Sequence, residues 1–483
     1  MKKNLMIKCI TLCVAVVAFG LLPQAHAAPL ALTDAELKAV LEQRIDEEKM
    51  GVGLVVGVID DTGIRVISHG AADLRSGRGV DRNAIFEIGS ITKIFTSVIL
   101  ADMVRKGEVK LDDPVALYLP KLVKVPARNG RQITLQDLAT HRSGLPRMPA
   151  NFTPKNPRNP YADYTVDQLY DLLSTYELKR DIGSAGEYSN LGVGLLGHVL
   201  ALRAGMGYEQ LLRERVLAPL GMRDTAIALS PSMAAKLAIP YNVPNTPVSN
   251  WDIPTLAGAG AVRSSVGDML KFLAAALDTS HGALAPTMAI ALAQPLRLSW
   301  SSTSRYGSEI THKDGGTGGY QSFIGFDPVQ KKGVVVLSNA NIDVVDIGHQ
   351  VMNREFQLFQ LVPPRAFVAD LDKQGYEHAA RLYEEYKQKD ARFHLREEIL
   401  NEWGYAKLAE GRPQDGIALL KLGVRLRPQS ANTYDSLAEA YDKSGNKPLA
   451  LENYRRVLEL DPSNDHAAAR IKALGAPGPA GTL

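Results

Sequence analysis

Strand-like sequence occurs at both ends of a long segment and hardly at all between them. Near the start, VGLVVGVI and IRVISHG flank Asp60-Asp61-Thr62-Gly63. Two apolar runs split by turn residues read as a β-hairpin. Strand character returns only from Thr311, in THKDGG, QSFIGFDP and GVVVLSNA. Helical patterns fill the interval from Thr165 to about Leu277, and a last helix is expected near Gln350. Such a chain pairs its strands by bringing its two ends together. The expected class is α/β of the α+β kind: one antiparallel sheet built from both ends, flanked by helices, with an all-helical lobe inserted.

The first helix after the hairpin carries an unusual residue. In FEIGSITKIFTSVILADM, Ile91, Ile94, Phe95, Val98 and Ile99 recur at offsets of three and four, one apolar helical face. Ser90, Lys93 and Ser97 form a second stripe. One turn of helix puts the Ser90 hydroxyl beside the Lys93 amine. Two readings compete: a serine cap with a snorkelling lysine, or a nucleophile with its base, since a desolvated lysine can take a serine proton. Ser-x-x-Lys alone is weak, because average usage gives roughly one or two per chain of this length. Ser444-Gly-Asn-Lys447 also fits it and carries no meaning.

Lys2, Lys3 and Lys8 precede an apolar run from Cys9 to Leu22 and then Ala25-His26-Ala27. This pattern predicts a signal peptide over 1–27, cleaved after Ala27, and export to the periplasm. It leaves no membrane span in the mature protein. Both cysteines, Cys9 and Cys13, fall in that segment, so the mature chain is held by its core without disulfides and has no thiol nucleophile. Once the three lysines leave, the 55 basic residues fall to 52, equal to the 52 acidic ones. That balance gives no reason to invoke nucleic acid.

Composition shifts after Pro363-Pro364. Gly404, Gly411, Gly416, Leu420 and Pro428 lie 34 residues before Ala438, Gly445, Ala450, Tyr454 and Pro462. Tyr434, Leu437-Ala438, Tyr441, Gly445, Ala450, Tyr454 and Pro462 resemble the tetratricopeptide pattern. YEHAARLYEEYKQ looks like half of a degenerate earlier unit. The expected organisation is a catalytic region over 28–365, helical repeats over 374–475 and a disordered tail over 476–483. Two repeats seldom stand alone, so the lobe is expected to pack on the main region or on a protein partner.

Three further stretches join Ser90-Ile-Thr-Lys93: Tyr188-Ser-Asn190 before an apolar helix, HKDGGTGGY from His312 to Tyr320, and HRSGLP. With LDDPVALYLP, ITLQDLATHRSGLP, LAPLGMRDT and GAGAVRSSVGDMLKF, the order Ser-x-x-Lys, Tyr-x-Asn, Lys-x-Gly resembles the serine β-lactamase and penicillin-binding superfamily. More narrowly it is similar to class C β-lactamases, AmpH-type carboxypeptidases and esterases of the same fold, over about Leu32 to Gln360. The resemblance implies an acyl-enzyme on Ser90, with Lys93 and Tyr188 sharing the proton and no metal or cofactor. It places Asn190, Lys313, Asp314, Gly315 and Gly316 in substrate binding and makes the N–H groups of Ser90 and Gly316 the oxyanion hole. Asn190 is expected to orient Lys93, Lys313 to lower the Tyr188 pKa, and the two glycines to let substrate backbone approach.

Each residue also has a plain alternative: Asn190 as a helix cap, Lys313 as an exposed strand lysine, His141 and His312 as structural. Lys331-Lys332-Gly333 also fits Lys-x-Gly and reads as a hairpin turn, and Glu397 to Asn401 mimics a class A box in the wrong place. One departure matters. The family's Lys-Thr-Gly is Lys313-Asp314-Gly315 here, and an aspartate repels the substrate carboxylate that the threonine hydroxyl helps to hold. The implied activity is hydrolysis of β-lactam amides. The alternatives are a D-Ala-D-Ala carboxypeptidase/endopeptidase of peptidoglycan, an esterase, or a penicillin-binding docking protein.

Overall fold

The computed structural model describes residues 32–242, 246–305, 308–358, 365–389, 393–462 and 464–475. The expected export segment 1–27 and the tail 476–483 lie outside these residues.

The strands of both ends join in one seven-stranded sheet. Its order is Ser301–Arg305, Ser308–Gly316, Gln321–Asp327, Lys332–Ser338, Gly53–Asp60, Gly63–Asp73 and Arg78–Gly79, antiparallel at every pair. The closing seam is Gly53–Asp60 against Lys332–Ser338, in register Leu54↔Ser338 and Val56↔Val336. Side chains alternate across a strand, so these runs serve two cores. Val55, Ile324, Val335 and Leu337 point into the larger one, while Leu54, Val56, Phe323, Val334 and Val336 point into the smaller. Runs buried on both faces explain why the strands read as continuous apolar stretches. The outer face is covered by the helices Asp34–Glu42 and Val345–Met352.

The inner face meets the helix Val266–Leu277, which lies flush against the sheet at Gly57. A Cβ there would come within 2.6 Å of the Val266 side chain. Behind it runs the helix Thr92–Arg105, buried on almost every side from Thr92 to Met103. The helix Asn190–Ala204 is capped by Ser189, whose Oγ accepts from the Gly192 N–H at 2.8 Å, and it ends at Gly205 with φ +68°. The loop from Arg147 to Tyr164 has no regular structure, as expected from its proline and asparagine content.

Beyond this region the regular elements of the described residues are helices. Glu397–Ala409 pairs with Pro413–Leu426, Ala431–Lys443 pairs with Lys447–Leu460, and every bound of the first pair recurs 34 residues later. YEHAARLYEEYKQ forms a 3-10 turn, Tyr376–His378, and the helix Ala379–Lys389. The preceding helix Arg365–Gln374 lies between the two spans expected from sequence. Its Phe367 and Leu371 pack with Leu400, Leu419 and Leu422, which places it with the repeats. No single helix among the described residues is long and apolar enough to cross a membrane.

Candidate active site

Ser90 sits where a strand turns sharply into a helix. Ile85–Glu87 pairs with Arg263–Ser265, Gly89 takes φ +49°, and the 3-10 turn Gly89–Ile91 leads into Thr92–Arg105. The left-handed backbone at Gly89 is a conformation glycine takes without strain. Ser90 does not cap the helix, whose N-terminus at Ile91 has no side-chain cap. Its hydroxyl is engaged elsewhere: Oγ lies 3.0 Å from Lys93 Nζ and accepts from the Tyr188 phenol at 2.6 Å.

Lys93 is fully buried and donates to the Ala259 carbonyl at 2.6 Å. Burial first, then the charges of Lys313 and Arg147, hold its pKa well below the ordinary lysine value. Asn190 makes no hydrogen bond to Lys93, contrary to the expectation from the family pattern. The carbonyl of Ala259, a backbone group that no side-chain motif reports, positions the amine instead.

The Tyr188 phenol also departs from expectation. Its pKa is pushed up to about 12, because burial outweighs the hydrogen bond it makes to Ser90, and Asp314 pushes the same way as burial. The Lys313 ammonium lies over the ring, 4.7 Å from the centroid, and burial still keeps the phenol pKa raised. Lys93 and Arg147 flank the same ring at 4.9 and 5.0 Å. Cations so placed meet the π-face, and the Arg147 charge favours the phenolate without offsetting burial. The site therefore sets an amine of lowered pKa and a phenol of raised pKa at one hydroxyl.

On the strand Ser308–Gly316, Lys313 pairs with Ile324 and is buried toward the helices. Burial lowers its pKa and Asp314 partly restores it. Asp314 pairs with Phe323, lies on the opposite face and is exposed. It still lines the cleft at the strand end. The glycines serve the protein's own backbone. A Cβ at Gly315 would lie 2.7 Å from the Ser90 nitrogen, and one at Gly89 would lie 2.6 Å from the Gly316 nitrogen. Only small residues let the serine turn and this strand come close enough to bring those two N–H groups together.

Asn190 is not the cap, since Ser189 fills that role. Its Nδ2 donates to the Tyr161 hydroxyl at 3.2 Å, and its buried Oδ1 has no partner. An unpaired buried acceptor in a cleft is costly unless a ligand satisfies it. His141 packs on Tyr188 at 4.7 Å between centroids, and its Nδ1 accepts from the Ser189 N–H. Burial and the two lysines lower its pKa to about 3. It stays neutral and shapes the wall. His312 stacks on Phe323, on the side of the sheet away from Lys313.

The cleft occupies about 680 Å³ and joins all eight residues expected from sequence except Lys93, which lies beneath it. It also contains residues that sequence reasoning missed: Arg147, Tyr161 and Trp251. Tyr161 and Trp251 pack at 5.5 Å between centroids and form an aromatic wall. The arginine directly after HRSGLP was the available signal for Arg147. Among the described residues no cluster of His, Cys, Asp and Glu could hold a metal ion.

A profile of the β-lactamase family matches residues 40–351. AmpH of Escherichia coli K12, a D-alanyl-D-alanine-carboxypeptidase/endopeptidase, is 36% identical over 225 residues, 46% of this chain and 56% of AmpH. The chain thus spans little more than half the length of that relative. A β-lactamase of the same organism is 26% identical over 358 residues, covering 64% of this chain and 90% of that protein. Two solved structures are similar, each 27% identical and covering 64% of this chain. A class C β-lactamase from Rhodobacter sphaeroides has a TM-score of 0.54 with 95% of its chain covered, and a β-lactamase/D-alanine carboxypeptidase from Yersinia pestis has 0.56 with 94% covered.

Proposed function

The chain belongs to the β-lactamase family, and on that footing we propose that it is a periplasmic serine hydrolase that opens β-lactam amide bonds through a Ser90 acyl-enzyme. The observation that carries this reading is the Ser90 hydroxyl held between an amine at 3.0 Å and a phenol at 2.6 Å. The lowered pKa of Lys93 makes it the proton acceptor. Ser90 Oγ attacks the carbonyl carbon as its proton passes to Lys93. The Ser90 and Gly316 N–H groups receive the oxyanion. The C–N bond breaks as the Tyr188 phenol protonates the leaving nitrogen, and the Lys93 ammonium, which flanks the same Ser90 oxygen, returns its proton to the Tyr188 oxygen. Water then hydrolyses the ester and frees Ser90. Asn190 Oδ1 accepts the substrate amide N–H, and Lys313 with Arg147 holds its carboxylate.

A second reading has its own support. Asp314 stands where a β-lactamase of this pattern has threonine, and the identity to AmpH, 36%, exceeds the 26% to the E. coli β-lactamase. The higher identity favours a D-Ala-D-Ala peptide as the amide cleaved, whereas Asp314 opposes the carboxylate of either substrate. Export rests on the lysine-led apolar run before Ala27, and a docking role for the repeats rests on their tetratricopeptide-like spacing.

The test offers nitrocefin, a D-Ala-D-Ala peptide and p-nitrophenyl butyrate side by side and compares kcat/KM. Amide turnover with one covalent adduct on the Ser90 peptide, lost in Ser90→Ala, is expected. Turnover of the ester alone, or labelling that survives in Ser90→Ala, refutes the reading.

A further inference from the structure

The catalytic cleft does not stop at the sheet. Asp314 and Gln321 line it, and the same two residues line a second cavity of about 540 Å³. The far wall of that cavity is the repeat helix Glu397–Ala409, which presents Glu398, Ile399 and Glu402. The near wall is the loop after the strand Lys332–Ser338, with Ile342 and Asp343. The two regions of the chain therefore enclose between them a space that adjoins the cleft at Asp314 and Gln321.

Its lining has a definite chemistry. Met50, Ile342 and Ile399 supply apolar surface. Among the described residues, four carboxylates, Asp314, Asp343, Glu398 and Glu402, line it with one cation, Arg396, which lies 3.6 Å from Asp343 and 3.3 Å from Glu398. One guanidinium against four carboxylates leaves a negative field. Burial, together with Glu398, holds the Glu402 carboxyl above its ordinary pKa, as expected where negative charge is poorly compensated.

We propose that this second cavity is a substrate subsite for an aliphatic amine: a peptide whose reacting carbonyl lies at Ser90 runs past Asp314, its alkyl stem packing on Met50, Ile342 and Ile399 and its ammonium resting among Glu398, Glu402 and Asp343. The proposal rests on the serine-hydrolase reading for the position of the reacting carbonyl. It gives the repeat lobe a direct part in substrate choice. It also gives Asp314 a use: the carboxylate that weakens the hold on an anion sits at the entrance to a site for a cation.

The test measures binding to the full-length Ser90→Ala protein, so that no turnover is needed. Two fluorescent peptides end in D-Ala-D-Ala and carry a preceding lysine, with its side-chain amine free in one and acetylated in the other. The free amine should bind at least tenfold more tightly, and the preference should shrink to less than threefold in full-length protein that also carries Glu398→Gln and Glu402→Gln. Glu402→Gln alone should reduce it part of the way, which guards against a double variant that folds poorly. Equal affinity for the two peptides, binding of neither, or a preference that survives both substitutions overturns the proposal. Failure of the hydrolase reading is seen separately, as absence of amide turnover by the protein with Ser90 intact.

Discussion

The catalytic region and the repeat lobe bury different things. Under the cleft, the helix Thr92–Arg105 buries Lys93, Thr96, Ser97 and Asp102, and the sheet buries Lys313. Each is charged or polar and has to be satisfied locally: Thr96 by the Gly258 carbonyl, Ser97 by Ser299, Asp102 by Arg105 and Arg215. The lobe packs mainly Leu419, Leu420, Leu422, Ala438, Ala450 and Tyr454, with Gly404 and Gly416 where helices touch, and the polar side chains it buries, Asn401, Thr433 and Ser436, are uncharged. Its helices follow amphipathic packing, whereas the Ser90 helix buries polar and charged side chains, Lys93 of the candidate site among them.

The sharpest way to break that contrast is Lys93→Met. If the buried amine is there for chemistry, amide turnover should fall by about four orders of magnitude or more. Stability should respond in a pH-dependent way. The Lys93 pKa in the folded protein lies below its unfolded value, so between the two the unfolded chain holds an extra proton and wild-type stability rises with pH. The variant lacks this dependence. Its melting temperature relative to wild type should be most favourable near neutral pH, and the advantage should shrink toward pH 10. A difference that stays constant with pH would mean that the amine is charged in the folded state.

The lobe is broken by geometry rather than charge. A Cβ at Gly416 would lie 2.7 Å from the Gly404 carbonyl oxygen, so Gly416→Val forces the first repeat pair apart. Overpacking of this kind costs about 3 kcal/mol. The lobe should unfold at lower temperature while p-nitrophenyl butyrate turnover stays within about twofold. A proportionate loss of ester turnover would show that the cleft depends on the lobe for its shape.

The same contrast explains what could be read from sequence. The apolar strand runs, the 34-residue offset and the order of the three motifs are local patterns, and each reappears in the elements described above. The missing parts depend on contacts between distant segments. The Ala259 carbonyl under Lys93 has no side-chain signature. The pKa of Tyr188 follows from how deeply the ring is buried, which the Tyr-x-Asn spacing does not encode. Gly315 is needed by the Ser90 turn, 225 positions earlier in the chain. Arg147 lay one residue beyond a recognised motif, in a loop whose course no periodicity reveals.

Lys313→Met tests the electrostatics between these distant parts. The Lys313 charge lowers the Lys93 pKa, so its removal should raise it and move the acid limb of the pH–rate profile upward. Carboxylate-bearing substrates should also lose about ten- to a hundredfold in kcat/KM, the worth of one charge-assisted contact. For p-nitrophenyl butyrate only the shift of the limb should appear. A carboxylate-specific loss without any shift would mean that Arg147 alone sets the charge felt by Lys93.

The smallest expected effect belongs to Asp314. On the strand it points away from Lys313, toward the side of Phe323, and it is exposed, so water screens much of its charge. It still raises the Tyr188 pKa, and it lines the cleft. Asp314→Thr removes that negative charge and restores a hydroxyl. Acylation by a carboxylate-bearing β-lactam should improve by about three- to fivefold, corresponding to about 1 kcal/mol or less for a screened pair. The ester should change little, because it offers no anion. A gain of a hundredfold would mean that the carboxylate swings fully into the cleft when substrate binds. No gain with β-lactams, combined with weaker binding of amine-bearing peptides, would mean that Asp314 acts mainly on the side facing the repeats.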